Sequence, residues 1–278
     1  MAKRFLALVV GLACAAMPAL AQLKVGVITS STGPIALVGI PHKNTVELLP
    51  TKIGNTTVEY LPLDDASDPT ATVSAFKKLL SENVDVIIGP SGSPNAMGVI
   101  PLAAEANVPV FATVGSAAVV LPMNSQKKWV FKTSQNDDII AKALVEHMAS
   151  KGVKSLGFIG TADPYGENWR QVVAGLAKQH GITMVAAESF QRQDPSVTAQ
   201  TIRLIGAHPD AVLVAAPGSS AVLPQTTLFD QGFKGQIYQT HGAPEFDTKR
   251  PVSSVGGNGR SYESMTWTRA KACFPVFL

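Results

Sequence analysis

The sequence predicts an α/β protein made of two doubly wound lobes, each with a mostly parallel sheet. Short runs rich in Val, Ile and Leu alternate with helical patterns over residues 23–130 and again over 134–237. Strands that are apolar along their whole length are typical of parallel sheets covered by helices on both faces. The 278 residues are enough for two such lobes, and residues 131–135 would join them.

The first lobe is expected over residues 23–132. Its predicted strands are 23–29, 57–63, 84–88 and 110–113, and its predicted helices are 41–49, 69–80 and 96–106. Asp68 or Thr70 caps the second of these helices, whose apolar face carries Phe76 and Leu79. Pro50 ends the first helix.

The second lobe is expected over residues 133–240. Its predicted helices are 137–150, 167–180, 196–207 and 220–231, and its predicted strands are 155–159, 184–190, 211–215 and 236–240. Gly152 and Gly181 stand where two of the helices should end.

Residues 1–21 have the pattern of a secretory signal. Lys3 and Arg4 precede an apolar core that ends in the small-residue cleavage site Ala19-Leu20-Ala21. A lipid anchor at Cys14 is less favoured, because Gly11 stands where such sites carry Leu. The two basic residues account for two of the three net positive charges, so no basic surface for nucleic acid is predicted.

Small polar loops follow three strands of the first lobe, at residues 30–34, 91–95 and 115–118. Ligands of parallel α/β sheets bind at the carboxyl ends of the strands, where helix N-termini favour a carboxylate. Any one of these loops is more simply an ordinary turn or helix cap. Three loops at one sheet edge favour a binding site.

The second lobe offers fewer candidates, at residues 163–166, 217–220 and 240–242. Tyr165 either covers a ligand or packs within a turn, and both interpretations stay open. Core packing is the favoured role of Trp169. Ligand binding is slightly favoured over a structural role for His241. The remaining histidines of this lobe, His147, His180 and His208, are expected in solvent.

Catalytic signatures are missing from the sequence. No nucleophile elbow G-x-S-x-G, dinucleotide fingerprint, P-loop or metal-ligand spacing is found. The pair Asp64-Asp65 is interpreted as helix and turn capping in solvent. The sequence therefore predicts no enzyme, no cofactor and no metal.

Several segments together resemble periplasmic substrate-binding proteins of the leucine/isoleucine/valine-binding type, which serve ABC importers. The resemblance covers residues 23–247, and the segments that carry it are LKVGVITSSTGPIA, DDASDPTATVSAFKKLL, VDVIIGPSGSPNA, KWVFKTSQND, GFIGTADPYGENW and PDAVLVAAPGSSAVLPQTTLFDQGFKGQIYQTHG. It implies a periplasmic, monomeric, two-lobed clamp that closes on a small-molecule ligand and delivers it to an inner-membrane ABC permease.

The resemblance also implies site residues. The loops that match the carboxylate-holding loops of the family contribute Ser93, Ser116 and Ala117, and Tyr165 matches a cleft aromatic. Asn95, in the first of these loops, and His241, at a strand end, complete the expected ligand site.

This chain departs from the family at two places in the site. No carboxylate stands within residues 239–242 to pair a ligand ammonium, Glu245 is out of register, and Val38 replaces an aromatic residue of the first loop. An unpaired buried ammonium is costly. The expected ligand is therefore either a branched-chain amino acid or an aromatic or aliphatic carboxylate.

Solute capture for an importer is the leading function. A sensory or regulatory module of the same fold and a non-functional truncated paralogue are the alternatives. The family pattern stops at residues 247–250, so 241–250 is expected to return through the hinge. Residues 251–278 lack strand and helix alternation and are interpreted as an atypical, frameshifted tail, with a folded extension as the alternative. The first lobe is accordingly expected to be incomplete.

Overall fold

A computed structural model describes residues 22–243 of the chain. These residues form two α/β lobes with one sheet each, as the sequence predicts. The predicted signal segment 1–21, Glu245, most of the predicted hinge return and the tail 251–278 lie outside the described residues.

The first lobe contains a six-stranded sheet with the strand order β2-β3-β1-β4-β5-β6. The strands are β1 Gln22–Thr29, β2 Lys52–Ile53, β3 Thr56–Asp64, β4 Val86–Ile88, β5 Val110–Ala112 and β6 Val130–Lys132. All pairings are parallel except that of the two-residue strand β2 with β3. The carboxyl ends of β1, β3, β4, β5 and β6 therefore meet at one edge of the sheet.

The second lobe contains a four-stranded, fully parallel sheet with the strand order β10-β9-β7-β8. Its strands are β7 Ser155–Thr161, β8 Thr183–Phe190, β9 Ala211–Ala215 and β10 Gln236–Gln239. Strand β9 is buried at every position, because helices cover both faces of the sheet.

Seven helices connect these strands within the described residues. They are α1 Ala36–Val46, α2 Pro69–Ser81, α3 Ser93–Ala106, α4 Asp137–Ser150, α5 Pro164–Gln179, α6 Thr198–Gly206 and α7 Val222–Asp230. Short 3₁₀ turns lie at Ala117–Val119, Lys127–Trp129 and Gly218–Ala221.

Each sheet has an apolar core on both faces. In the first lobe α2 and α3 bury Phe76, Leu79 and Val99 against one face, while Val46 of α1 packs against the other. In the second lobe α4 and α5 bury one face, and α6 and α7 bury the other. This layering is the doubly wound arrangement that the sequence predicts.

Three helices begin earlier than the sequence patterns predict. Helix α1 starts at Ala36 rather than Pro41, which lies inside it. The missing N–H of Pro41 leaves the carbonyl of Leu37 without its helical donor, and Leu37 is an exposed residue whose surroundings water reaches. Helices α3 and α5 each have a proline, Pro94 and Pro164, in the first turn, where its missing N–H has no helical partner to lose.

One expectation about histidine was wrong. His147 is half-buried rather than solvated, since its ring packs edge-on against Tyr238 at a centroid distance of 5.8 Å. Its Nδ1 lies 3.2 Å from the Tyr238 hydroxyl. His180 and His208 are exposed, as expected.

Within residues 22–243, no helix has the length and apolar character needed to cross a bilayer. Nor do these residues contain a group of three or more His, Cys, Asp or Glu side chains placed to hold a metal ion.

Candidate functional site

The carboxyl edge of the first sheet brings together the loops that the sequence singles out. Ser93 begins α3 and Ser116 precedes the turn Ala117–Val119, and both serines are buried. The backbone N–H of Ser116 donates to the Ser93 hydroxyl at 3.4 Å. The Ser116 hydroxyl accepts from the N–H of Ala118 at 3.2 Å. Two hydroxyls and the start of a turn thus lie side by side.

His42 of α1 reaches the same edge. Its Nδ1 lies 2.9 Å from the Ser91 hydroxyl and 3.3 Å from that of Thr113. Burial lowers the pKa of His42, so the neutral imidazole is favoured. The sequence patterns do not single out His42, because they start the helix at Pro41, whereas the helix begins at Ala36 and carries His42 in the middle of its length.

Asn95 lies in a different environment from Ser93. Its amide group donates to the Asp65 carboxylate at 3.0 Å and to the Thr72 hydroxyl at 2.7 Å. It is fully buried. Since its two N–H groups are used within the protein, Asn95 acts in this structure as a support of the loop that carries Ser93.

Asp65 is the centre of that support, and its predicted solvation was wrong. The side chain is fully buried. It accepts from the Ser30 hydroxyl at 2.6 Å and from the Ser67 backbone N–H at 2.9 Å, in addition to Asn95 and Thr72. A buried carboxylate with this many donors ties three strand-end loops together.

Tyr165 contributes its ring from the first turn of α5. Asp163 caps this helix by accepting from the N–H groups of Tyr165 and Gly166. The Tyr165 hydroxyl lies 2.8 Å from the Thr240 hydroxyl at the end of β10. Burial raises the pKa of the Tyr165 phenol far above its usual range. The hydroxyl is therefore engaged within the lobe, and the ring is buried against Gly115 of the first lobe.

Asp137, the first residue of α4, is a carboxylate that the sequence analysis did not include in the site. Its side chain is fully buried, and its Oδ2 accepts from the Asn168 amide at 2.8 Å. Its Oδ1 has no hydrogen-bond partner. Burial raises the pKa of Asp137 to about 7, and the positive charge of Lys132 opposes that rise.

His241 lies beside Asp137. The distance from His241 Nδ1 to Asp137 Oδ1 is 3.8 Å, which is too long for a hydrogen bond. Burial, aided by the charge of Lys132, lowers the pKa of His241 to about 4. No carboxylate stands on the strand end itself, as the sequence indicates, but α4 places one next to it.

Trp169 completes this part of the site. It is fully buried, in agreement with the expected core role, and its ring centroid lies 5.9 Å from that of His241. Its indole N–H donates to the Asp137 carboxyl, and this hydrogen bond favours the ionised form of that group.

The two lobes touch at these residues. A Cβ atom built on Gly115 of the first lobe would lie 2.7 Å from Asp137 Oδ1, 3.0 Å from the Tyr165 ring and 3.2 Å from the His241 ring. Only a glycine allows the loop before Ser116 to approach so closely. Ser93, Ser116 and Ala117 are thus brought next to Tyr165 and His241, while Asn95 stands behind them.

A separate cavity of about 710 Å³ lies within the second lobe, between β7, β8 and α5. Its lining includes Phe158, Gly160, Glu167 and Arg170 and no residue of the first lobe. It is therefore distinct from the contact between the lobes.

Comparison with known proteins agrees with this architecture. The sequence profile described as periplasmic binding protein matches residues 22–258. Leu/Ile/Val-binding protein homolog 7 of Brucella abortus is 26% identical over 250 residues, which cover 84% of this chain and 62% of that protein. This chain thus spans less than two thirds of the length of that relative.

Solved structures show the same fold. An extracellular ligand-binding receptor from Rhodopseudomonas palustris HaA2 is 45% identical with a TM-score of 0.77, over 80% of this chain and 62% of the other. An ABC-transporter solute-binding protein from R. palustris, solved with 4-hydroxybenzoate, is 23% identical with a TM-score of 0.72, over 80% and 62% of the two chains. With a profile match over most of its length and these structural relatives, the chain belongs to the periplasmic binding protein family.

Proposed function

We propose that this protein captures a small carboxylate-bearing solute between its two lobes, outside the cytoplasm, for an ABC importer. The observation that carries the proposal is the meeting of Ser93 and Ser116 with Tyr165 and His241 across Gly115. The polar loops of one lobe face aromatic and titratable side chains of the other, which is the arrangement a closing clamp needs.

The carboxylate end of the ligand is assigned to the first lobe. The Ser93 and Ser116 hydroxyls can each donate a hydrogen bond to a carboxylate oxygen once the ligand replaces their present contacts. The backbone N–H of Ala117, at the start of its turn, is the third donor. Asn95 holds the Ser93 loop through Asp65.

The rest of the ligand is assigned to the second lobe, where the Tyr165 ring offers an apolar face. The Brucella relatives are named for leucine, isoleucine and valine. Two R. palustris proteins of the same fold were solved with 4-hydroxybenzoate. Both a branched-chain amino acid and an aromatic carboxylate are therefore candidate ligands.

Delivery to an inner-membrane permease follows from this role. In the proposed role, the protein acts as a periplasmic monomer that closes on the ligand, docks on the permease and reopens. The ligand leaves chemically unchanged, so no catalytic residue is assigned.

Titration calorimetry on residues 22–278 tests the proposal with 4-hydroxybenzoate, benzoate and L-leucine. We expect one of these to bind and the recovered ligand to be unaltered by mass spectrometry. Joint replacement Ser93→Ala and Ser116→Ala should weaken binding at least tenfold. The matched control is Ser74→Ala with Ser81→Ala, on α2. Chemical conversion of the ligand, or equal affinity in both double variants, would refute the proposal.

A further inference from the structure

One glycine of the first lobe covers an acidic and a basic side chain at the contact with the second lobe. A Cβ atom built on Gly115 would lie 2.7 Å from Asp137 Oδ1 and 3.2 Å from the His241 ring. The Asp137 side chain is fully buried, and that of His241 is 18% exposed. Because the same backbone covers both groups, separation of the lobes at Gly115 would admit water to both at once.

Neither of the two side chains has a partner that would stabilise its charge. The Asp137 carboxyl accepts from the Asn168 amide at 2.8 Å and from the Trp169 indole N–H, which are both neutral donors. Within residues 22–243 no lysine or arginine forms an ion pair with it, because the Lys132 ammonium donates to two backbone carbonyl oxygens instead. The Nδ1 atom of His241 has no hydrogen-bond partner.

Other charged and ionisable groups face the pair from the neighbouring elements. They are Lys132 at the end of β6, Asp138 on α4 and the Tyr165 phenol on α5. Lys132 lowers the pKa of Asp137, whereas Asp138 raises it. Burial raises the pKa of Tyr165 far above its usual range, so the phenol stays neutral. The two nearby charges thus oppose each other, and burial decides where a proton lies.

Burial favours the uncharged forms of both members of the pair. Asp137 Oδ1 and His241 Nδ1 are 3.8 Å apart, which is too far for a direct hydrogen bond. A carboxylate and an imidazolium at this distance attract each other, but each of them loses its hydration when it is buried. The charge of Lys132 further disfavours the imidazolium. With the lobes in contact, the favoured arrangement is therefore a neutral carboxyl beside a neutral imidazole.

We propose that Asp137 and His241 share one proton, which moves between them as the lobes meet and separate. With the lobes in contact, the proton is on the Asp137 carboxyl. When the lobes separate at Gly115, the carboxyl O–H bond breaks and an N–H bond forms at His241 Nδ1 through an entering water molecule. A solvated carboxylate and imidazolium result, and the pair keeps its one proton throughout. The inference rests on the proposed function only in that the lobes must separate.

The shared proton makes closure insensitive to pH in the mildly acidic range. A solvated aspartic acid and a solvated histidine have pKa values of about 4 and about 6.5. At about pH 5 to 6 the separated pair therefore also holds one proton, which is then on the imidazole. The lobes can meet without burying an ion and without taking a proton from the solvent.

NMR titration of residues 22–278 without any solute tests the shared proton. Wild type is compared with Gly115→Ala, whose added Cβ separates the lobes at this point, while small-angle scattering measures the radius. The matched control is Gly98→Ala, since the nearest side-chain atom to its Cβ is 3.6 Å away. His241→Gln assigns the His241 signal, and the exposed His180 is the internal reference.

The ring nitrogen shifts of His241 and the carboxyl carbon shift of Asp137 report the position of the proton. At about pH 5.5, wild type and Gly98→Ala should show a neutral imidazole and a protonated carboxyl. Gly115→Ala should raise the titration midpoint of His241 by at least about one pH unit and ionise Asp137. The midpoint of His180 should be the same in all three proteins.

Several results would overturn the shared proton. They are a protonated His241 in wild type at about pH 5.5, equal His241 midpoints in the two glycine variants, and an Asp137 that stays protonated beside a protonated His241 in Gly115→Ala. If Gly115→Ala does not fold, as judged by near-ultraviolet circular dichroism, the wild-type shifts decide. Because no solute is present, these results do not bear on solute capture, and a failure of all three compounds to bind would not bear on the proton.

Discussion

Ser219 of the second lobe donates two hydrogen bonds to a single acceptor in the first lobe, the carbonyl oxygen of Pro34. Its backbone N–H lies 3.1 Å from that oxygen and its hydroxyl 2.8 Å. The preceding residue, Gly218, has φ = +59°, and a Cβ built on it would lie 2.8 Å from the Pro34 oxygen. The lobes are thus held together at a second point besides Gly115.

Ser219→Ala should favour the open clamp, because it removes the hydroxyl half of this contact. One hydrogen bond is worth about 0.5–1.5 kcal/mol, which corresponds to roughly a twofold to tenfold loss of ligand affinity. Titration calorimetry measures the affinity and small-angle scattering the radius of the unliganded protein. Ser74→Ala on α2 is the control. An unchanged affinity together with an unchanged radius would show that the contact does not contribute to closure.

Gly115→Ala should prevent full closure. The added Cβ would lie 2.7 Å from Asp137 Oδ1, closer than such atoms approach in proteins, so the lobes must separate. We expect ligand affinity to fall at least tenfold, with little change in thermal unfolding. Gly98→Ala in α3 is the matched control, since the nearest side-chain atom to its Cβ, on Val73, is 3.6 Å away. Equal affinities of the two variants would contradict the assigned interface.

Asp65→Asn should destabilise the first lobe. The amide would present N–H groups to donors that now bond a carboxylate, namely the Ser30 hydroxyl and the Ser67 N–H. A loss of about 2 kcal/mol in the free energy of unfolding is expected. Urea titration measures it, with the exposed Asp230→Asn as control. A loss below about 0.5 kcal/mol would rule out the network as a support of the loops.

Asp137 and His241 should contribute to the pH dependence of the free energy of unfolding with opposite signs. The raised pKa of Asp137, about 7, makes the folded state bind a proton more tightly than the unfolded chain, so its contribution is lost as pH rises from about 4 through 7. The lowered pKa of His241, about 4, has the opposite sign, and its contribution is lost as pH falls from about 6.5 to 4.

Between pH 4.5 and 6.5 the two contributions offset each other in the wild type. Asp137→Asn removes the falling one, so the free energy of unfolding should rise with pH more steeply than in the wild type, by up to about 1.4 kcal/mol per pH unit. His241→Gln should give a falling profile over the same range. The charges facing Asp137 are Lys132, Asp138 and His241, and the first two stay in both variants. Urea titrations at several pH values provide the measurement, and parallel profiles for wild type and Asp137→Asn would contradict the raised pKa.

The sequence predicts eight of the ten strands of the described residues, because those parallel strands are local apolar runs, and it does not predict the short strands β2 and β6. Ala211–Ala215 is found without error since all five residues are buried. Helix starts are predicted less well. Ser93-Pro94 and Pro164 resemble loop sequence, but the first turn of a helix tolerates proline, and both helices begin there. The loops with Ser93 and Ser116 could be found because strand ends mark them.

Asp137 could not be found in this way. The sequence indicates only that it starts a helix. Its burial comes in part from Gly115 and His241, which lie 22 residues before it and 104 residues after it in the chain. His42 likewise depends on the start of α1, which the proline at position 41 obscured. The surroundings of both residues are set by contacts between segments far apart in the chain, and a local sequence pattern carries no information about such contacts.

The fixed hydroxyl of Tyr165 has a consequence for the entropy of binding. Because Thr240 engages that hydroxyl and the residue is fully packed, its ring occupies one rotamer before any ligand arrives. Ordering a free side chain on binding costs about 0.5–1.5 kcal/mol. Under the proposed function, separation of the lobes at Gly115 would uncover the Tyr165 ring, and binding of a flat ligand to it would incur no such cost.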